Sequence, residues 1–319
     1  MEYIAFGQVL FEEHSSSFSS PYLFNGKELD RETNLSYYGA RYLDMKTSLW
    51  LNVDPLAEKM PNYGGYVFSF SNPISFIDPD GKFPILVNGK VGGDSERASS
   101  SYWNSKIRST ISKQTGYSQS SFKYVDGDQG FSASTRIKAG LIKGKADAAS
   151  IYARMKKTMM GGKITEQIQF ITHSRGSAFG KGYMDGVSAE IANLAKKEGI
   201  EFAYGAGNII EYSVNLAPHQ SNSIDYKDNG SKNVNISHVG DYLSGDDGTG
   251  NVVNVESAET NAFDQHGNST YNNELNFILN VLNNNKKKSN LLNEVKAAYN
   301  KYNKDAGKRD RPVITSGSN

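Results

Sequence analysis

One serine stands where a predicted strand turns into a predicted helix. Residues 166–172 (EQIQFIT) are typical of a buried strand and residues 175–199 of a helix, so Ser174 lies on the turn between them. That arrangement is a nucleophile elbow, in which an exposed hydroxyl attacks a carbonyl carbon. Gly176 supplies the small residue that the turn needs two positions after the serine, whereas Thr172 stands where glycine is usual. The alternative is that Ser174 only caps the helix N-terminus.

The segment THSRG is similar to the THSLG-type elbow of lipases in the α/β-hydrolase family. This resemblance implies the chain order nucleophile, acid, histidine. Asp241 (in SHVGDYLSG) and His266 (in FDQHGNSTY) each follow a predicted strand and match that order. His266 is then expected to accept the Ser174 proton while Asp241 holds the imidazole tautomer. His238 remains the alternative base, and Asp225 remains the alternative acid.

Acyl transfer also needs two backbone N–H groups that stabilise the oxyanion of the tetrahedral intermediate. We expect one from Arg175, directly after the serine. The other is expected from the loop after the first strand of this region, formed by Asn88, Gly89 and Lys90. A glycine in that loop allows the backbone to approach a substrate closely.

The remaining histidines and a pair of aspartates have other interpretations. His173 is expected to pack under the elbow as a structural residue, and His219 is a candidate for the pocket lining. His14 is expected to be exposed. Asp246 and Asp247, in GDDGTG, lack the full ligand set of a calcium loop, so this segment is predicted to be a surface turn.

Alternating strands and helices must position these groups. The predicted strands cover residues 83–89, 121–125, 166–172, 209–218, 233–237 and 251–257, and the predicted helices cover residues 101–114, 133–159 and 175–199, the last ending at Gly199. This alternation predicts an α/β fold for residues 83–285, with a doubly wound, mostly parallel sheet of about six strands, as in an α/β-hydrolase. Residues 286–319 are expected to form a basic amphipathic surface helix and a polar tail, with a membrane- or nucleic-acid-binding patch as the alternative.

Residues 1–82 have a different composition, rich in Tyr, Gly, Asn and Pro, which favours short strands joined by tight turns such as Asn25-Gly26 and Asp80-Gly81. Residues 21–81 resemble the Rhs repeat-associated core domain of YD-repeat polymorphic toxins, through FNGKE, YYGARYLD, VDPLAE, SNP and the final DPDG. In that family the segment closes a β-shell around a toxin. Only a stub of such a shell is present, so the chain is predicted to be a fragment or a displaced cassette.

The Rhs resemblance also implies a junction at which many members cleave themselves. Asp54 and Asp78 match the aspartates of its Asp-Pro motifs, which could act as a general acid/base pair. Two positions differ from the family: the usual glycine is absent after Asp54-Pro55, and Lys82 stands where leucine is common. The alternative is that both Asp-Pro pairs simply form turns.

The composition excludes several classes of function. The 319 residues include 35 Lys+Arg and 34 Asp+Glu, so the net charge of +1 gives no general attraction to nucleic acid or to an anionic membrane. The absence of cysteine excludes disulfides, thiolate metal sites and cysteine nucleophiles. No HExxH, Walker or GxGxxG pattern is present, so neither metal nor cofactor is expected. No apolar run has the length of a membrane span.

The N-terminal residues MEYIAFGQVLFEEH carry acidic residues where a signal peptide carries basic ones. The Rhs resemblance therefore implies a cytoplasmic protein that is delivered to a target cell by a specialised secretion system. The main functional hypothesis is a serine hydrolase of lipid or other acyl esters, with an immunity protein as a partner. A non-catalytic binding module and a nuclease that uses His238 and Asp241 are the alternatives.

Overall fold

The computed structural model describes residues 2–3, 8–11, 28–37, 42–52, 66, 82–117, 119–157, 159, 162–226, 231–244, 247–257, 266–284, 291–305 and 313–317. The chain divides into two compact units, Met1–Pro79 and Asp80–Asn319. His14 and the candidate autocleavage residues Asp54 and Asp78 lie outside the described residues, as do both turn dipeptides of the N-terminal segment.

The described residues of the first unit include short antiparallel strands. These are β1 (Glu2–Tyr3), β2 (Val9–Phe11), β3 (Glu28–Asp30), β4 (Leu35–Tyr37), β5 (Tyr42–Asp44) and β6 (Leu49–Trp50). β1 pairs with β2, and β3 to β6 form a four-stranded meander in chain order. Two of its turns contain the same hydrogen bond, in which the Asp30 or Asp44 carboxylate accepts the backbone N–H two residues later, at 2.9 Å in each case. These Asx turns explain why the sequence breaks into short strands there.

The second unit is built on a seven-stranded, mostly parallel sheet flanked by helices. Its strands are β7 (Lys82–Asn88), β8 (Lys123–Asp126), β9 (Lys163–Ile164), β10 (Gln167–His173), β11 (Glu201–Phe202), β12 (Ile210–Leu216), β13 (Asp225–Tyr226), β14 (Lys232–His238), β15 (Thr249–Gly250), β16 (Val253–Ser257) and β17 (Val313–Ser316). The large sheet has the order β17-β16-β14-β12-β10-β7-β8, and the pairs β9–β11 and β13–β15 lie outside it.

The strand order reverses between β7 and β10. From β7 the chain moves to β8 at one edge, returns to β10 on the other side of β7, and continues outward through β12, β14 and β16. In open parallel sheets such a reversal leaves a crevice at the carboxyl ends of the two strands, where ligands bind. Asn88 and His173 end these two strands, so the loop with Gly89 and the turn with Ser174 meet at the crevice.

In the described part of this unit, five α-helices accompany the sheet: α1 (Ser105–Thr115), α2 (Ala133–Lys156), α3 (Gly176–Glu198), α4 (Asn272–Asn284) and α5 (Leu291–Asp305). α1 packs with α4, and α2 packs with α3. The connection from β7 to β8, which contains α1, moves toward one edge of the sheet, and the connection from β10 to β12, which contains α3, moves toward the other. Because both crossovers are expected to be right-handed, α1 and α3 cover opposite faces of the sheet. α3 ends at Gly199, whose φ of +66° gives the left-handed C-cap that the sequence predicted.

α2 and α3 approach each other closely where each helix has two glycines four residues apart. These are Gly140 and Gly144 in α2, and Gly182 and Gly186 in α3. A Cβ at Gly140 would lie 2.0 Å from the Phe179 carbonyl oxygen, and a Cβ at Gly182 would lie 1.9 Å from that of Ile137. Side chains larger than hydrogen would therefore push the two backbones apart. The close contact fixes the position of α3, and hence of the turn from which it begins.

A ladder of buried polar side chains crosses the four neighbouring strands β10, β12, β14 and β16. The Thr172 hydroxyl donates to Asn215 Oδ1 at 2.7 Å, the Asn215 amide donates to Asn235 Oδ1 at 3.0 Å, and the Asn235 amide donates to Asn254 Oδ1 at 3.0 Å. Asn254 closes the series by exchanging two 3.1 Å hydrogen bonds with the Gly248 backbone. Each amide is paired, so the ladder avoids the penalty of unpaired polar groups in the core.

The C-terminal region corrects two sequence expectations. Residues 286–319 were expected to form a surface helix and a polar tail, but the tail supplies β17, which pairs antiparallel with β16 and becomes the seventh strand. α5 forms as predicted, yet Leu291, Val295 and Tyr299 are buried in the core. The sequence interpretation omitted α4, although Leu275, Ile278, Leu279 and Leu282 have helical spacing and are all buried.

Candidate active site

Ser174 occupies a strained turn between β10 and α3. Its φ of +54° lies in the left-handed region that non-glycine residues rarely adopt. A Cβ at Gly176 would lie 2.4 Å from the Asn88 carbonyl oxygen and 2.7 Å from that of Val87, so only glycine fits there. Strain of this kind persists where the surroundings enforce it, and it is typical of functional sites.

Thr172 is accommodated although glycine was expected at its position. Its side chain is fully buried, and its methyl carbon would lie 2.7 Å from a Cβ at Gly180, one turn into α3. Because Gly180 has no side chain, it leaves room for the Thr172 methyl group, so a glycine is not needed at position 172. The Thr172 hydroxyl is paired with Asn215 and also lies 2.8 Å from the Ser177 hydroxyl.

The three residues proposed as a triad lie in one hydrogen-bonded series. His266 Nε2 lies 2.7 Å from Ser174 Oγ. On the other side of the ring, His266 Nδ1 lies 2.9 Å from Asp241 Oδ2 and 3.1 Å from Oδ1. An ionised carboxylate only accepts hydrogen bonds, so Nδ1 carries the hydrogen and Nε2 is left to accept the Ser174 proton.

The carboxylate of Asp241 remains charged although it is largely buried. Burial, the strongest influence, raises the pKa of Asp241, but the hydrogen bond and charge of His266 together with N–H donation from Leu243 outweigh it, and the pKa lies below its usual value. The Leu243 N–H donates to Asp241 Oδ1 at 3.0 Å, and the Tyr271 hydroxyl lies 3.5 Å from Oδ2. A charged carboxylate is the form that stabilises an imidazolium.

The residues expected to donate to the oxyanion, Arg175 and the loop after β7, both lie next to Ser174. The backbone N–H of Arg175 directly follows Ser174 at the N-terminus of α3, where the helix dipole favours negative charge. Gly89 lies against the nucleophile, because a Cβ there would be 2.7 Å from Ser174 Cβ. Gly89 also lies beside Tyr102, because the same Cβ would be 2.9 Å from the Tyr102 hydroxyl oxygen.

Asn88 does not serve the oxyanion through its side chain. The amide nitrogen donates to the Gly89 carbonyl oxygen and to Asp126 Oδ1, both at 2.9 Å, and Oδ1 accepts the Ala98 N–H at 3.1 Å. These bonds shape the loop after β7. That a backbone N–H of this loop is the second oxyanion donor stays a prediction.

The alternative base and acid lie elsewhere. His238 is buried, its Nε2 lies 3.3 Å from Glu274 Oε1, and its ring stacks on Tyr271 with centroids 4.0 Å apart. Its carbonyl oxygen accepts the Asp241 N–H at 3.0 Å, so His238 supports the turn that carries Asp241. Asp225 is exposed at the start of β13, and the position beside His266 Nδ1 belongs to Asp241.

Two other histidines lie beside the serine. His219 follows β12, and its backbone N–H donates to the Ser174 carbonyl oxygen at 3.1 Å, in a loop where Ala217 and Gln220 both have positive φ. His173 is buried, as expected of a structural residue, and contacts Tyr102 and the main chain of His266. Sequence reasoning overlooked Tyr102, because a tyrosine in a short turn 71 residues before His173 has no local pattern that marks it.

Among the described residues, no three histidine, aspartate or glutamate side chains come together in a way that could hold a metal ion. Asp247 accepts a hydrogen bond from the Thr315 hydroxyl of β17, and Asp246 lies outside the described residues. In that same part of the chain, none of the helices combines the length and the apolar character needed to span a bilayer. No protein-family model matches this sequence, and no curated protein is significantly similar to it.

Proposed function

We propose that the second unit is a serine hydrolase of carboxylic esters, with an α/β-hydrolase fold. The observation that carries this proposal is the continuous series Ser174–His266–Asp241, with hydrogen bonds of 2.7 and 2.9 Å. These distances are within the reach that nucleophile activation requires. The position of Ser174 at a strained elbow, beside the reversal point of a parallel sheet, supports the same conclusion.

The chemistry follows from the tautomer of His266. Ser174 Oγ attacks the ester carbonyl carbon while His266 Nε2 takes its proton, and the negative charge of Asp241 stabilises the imidazolium. His266 then returns this proton to the departing alkoxide, which leaves as the alcohol and gives the acyl-serine. A water molecule, deprotonated by His266, attacks the acyl carbon. The acid is released and Ser174 regains its proton.

The negative charge on the carbonyl oxygen needs fixed donors at the same place. The Arg175 N–H, at the N-terminal end of α3, is the proposed first donor, and a backbone N–H of the Asn88-Gly89-Lys90 loop is the proposed second donor. The Ser174 residue itself is only 6% exposed, so the transition-state charge would develop where water is scarce and donors act strongly.

The proposed substrates are lipid or other acyl esters, as the similarity of THSRG to lipase elbows implies. The Rhs-like motifs of residues 21–81 support a further step of the proposal, in which this unit is the effector of a polymorphic toxin. Such an effector would be delivered to a competing cell by a specialised secretion system and neutralised by an immunity protein in its producer. This catalytic account requires no cofactor.

A series of p-nitrophenyl esters of increasing chain length tests the activity. The wild type is expected to hydrolyse them with turnover that Ser174→Ala abolishes. A preference for long acyl chains, and release of fatty acid from phospholipid vesicles, would support the lipid assignment. Hydrolysis that survives Ser174→Ala would contradict the proposed nucleophile, and a wild type inactive on every ester would favour the binding-module alternative.

A further inference from the structure

The residue before the nucleophile is enclosed by aromatic rings. The His173 ring centroid lies 5.7 Å from that of Tyr102, 6.4 Å from that of Trp103 and 5.4 Å from that of His266. Burial, with a smaller contribution from the neighbouring His266, lowers the pKa of His173 to about 3. The ring is therefore neutral at physiological pH and carries a single N–H.

The partners of His173 fix where that hydrogen is. Nε2 lies 2.7 Å from the main-chain carbonyl oxygen of His266, which can only accept, so Nε2 carries the hydrogen. Nδ1 then accepts from the Tyr102 hydroxyl, 2.5 Å away. The two bonds form one directed chain, from Tyr102 through the residue beside the nucleophile to the backbone of the candidate base.

A second contact attaches the same two segments. The Asn268 amide donates to the Tyr102 carbonyl oxygen at 3.0 Å, and Asn268 Oδ1 accepts the Asn104 N–H at 2.9 Å. The stretch that begins at His266 is thus held at its main chain by His173 and at the Asn268 side chain by Tyr102 and Asn104. Holding the backbone of a residue narrows the orientations that its side chain can adopt.

We propose that Tyr102 and His173 are positioning residues, which hold the main chain of His266 so that its Nε2 stays aligned with Ser174 Oγ. This inference rests on the proposed function. Neither residue needs to touch a substrate to act in this way, because the hydrogen-bond chain ends on the backbone of the base. Their loss should therefore reduce turnover and leave substrate affinity unchanged, since misplacing a base by a fraction of an ångström slows proton transfer.

Steady-state hydrolysis of p-nitrophenyl butyrate by three variants tests the proposal. Tyr102→Phe keeps the ring and deletes the hydroxyl, and it is expected to lower kcat about threefold to tenfold, the range for one hydrogen bond, with KM unchanged. His173→Phe should lower kcat by more than about tenfold, because the His266 carbonyl loses its donor. His173→Gln, whose side-chain amide can donate to that carbonyl, should recover most of the loss.

Tyr204→Phe is the matched control. It deletes a hydroxyl bonded at 2.6 Å to the Glu166 carbonyl oxygen, before the start of β10 and away from Ser174. It should leave kcat within about twofold of the wild type, as remote sites act independently. Thermal melting identifies a variant that fails to fold. If His173→Phe fails to fold, Tyr102→Phe still tests the proposal, because it retains the buried ring.

An unchanged kcat in Tyr102→Phe, a change in KM alone, or a His173→Gln no more active than His173→Phe would each overturn the positioning role. Imidazole ¹⁵N shifts of the wild type should show the Nε2–H tautomer at His173 between about pH 5 and pH 8, and the Nδ1–H tautomer would contradict the chain. A wild type inactive on esters overturns the proposed function and this inference together. An active wild type with insensitive variants overturns this inference alone.

Discussion

Thr172, two residues before the candidate nucleophile, donates its hydroxyl hydrogen to Asn215 Oδ1 at 2.7 Å. This bond is the first step of the ladder that continues through Asn235 to Asn254. The Thr172 side chain therefore not only fits into this crowded position of the elbow but also makes a buried hydrogen bond there. It connects the turn that carries Ser174 to the three neighbouring strands, of which β14 and β16 precede the segments that supply Asp241 and His266.

Breaking the ladder should destabilise the second unit. Asn235→Leu removes two buried hydrogen bonds and leaves the Asn215 amide and Asn254 Oδ1 with fewer partners. We expect the free energy of unfolding to fall by about 2–4 kcal/mol in urea denaturation. Asn280→Leu, on the exposed face of α4, is the control and should change it by less than about 0.5 kcal/mol. Equal effects of the two substitutions would mean that the ladder contributes no special stability.

The elbow should not tolerate a methyl group two residues after the serine. In Gly176→Ala the new Cβ would meet the Asn88 and Val87 carbonyl oxygens at 2.4 and 2.7 Å, and these backbone atoms cannot move aside cheaply. We expect a loss of at least about 2 kcal/mol in unfolding free energy, together with reduced ester hydrolysis. Gly93→Ala, where a Cβ has no neighbour within 4 Å, should be nearly neutral. A Gly176→Ala protein as stable as Gly93→Ala would contradict the tight turn.

The proposed acid, Asp241, can be tested against its alternative, Asp225. Asp241→Asn replaces an acceptor by an amide that can donate to His266 Nδ1, which would place the ring hydrogen on Nε2, facing Ser174. We expect kcat to fall by about 10³–10⁴-fold with little change in KM. Asp225→Asn removes the exposed alternative and should leave kcat within about twofold. A greater loss in Asp225→Asn than in Asp241→Asn would reverse the assignment.

The lowered pKa of the buried His173 ring predicts that the stability of the protein depends on pH. Burial lowers its folded-state pKa from 6.5 to about 3, so between these values the unfolded chain binds a proton that the folded chain does not. The stability contributed by the neutral ring is complete above pH 6.5 and is lost as pH falls toward 3, with a slope of up to about 1.4 kcal/mol per pH unit. Carboxylates with lowered pKa, such as Asp241, add to this loss only near and below their usual value of 3.8.

Urea unfolding at several pH values measures this contribution. His173→Gln lacks the titrating ring, so its unfolding free energy should fall less steeply than that of the wild type between about pH 6.5 and pH 4.5. Above about pH 7 the difference between the two proteins should be constant. Parallel pH profiles throughout the acidic range would show that His173 is not held neutral by burial.

Local sequence patterns were sufficient for the elements that lie next to the candidate site. The strand–serine–helix pattern around Ser174 and the glycine at position 176 are encoded within a few residues, and the structure has β10 and α3 there. Asp241 and His266 could be found because residues that follow parallel strands gather at one edge of the sheet. Six predicted strands correspond to strands of the large sheet.

The contacts that depend on distant parts of the chain could not be predicted. Tyr102 reaches His173 across 71 residues, and no local feature of the Asn88-Gly89-Lys90 loop indicates that Tyr102 lies beside Gly89. β17 is four residues long and becomes a strand only because β16 offers it an edge. The compensation between Thr172 and Gly180 likewise requires α3 to lie against β10.

Covalent labelling of Ser174 is the most direct test of the central claim. The wild type should react with a fluorophosphonate probe, and mass spectrometry of the digested protein should find the phosphonate on the peptide that contains Ser174. Ser174→Ala should remain unlabelled, and His266→Ala should react far more slowly because the hydroxyl loses its base. Labelling of another residue, labelling that persists in Ser174→Ala, or a folded wild type that does not react would contradict the account.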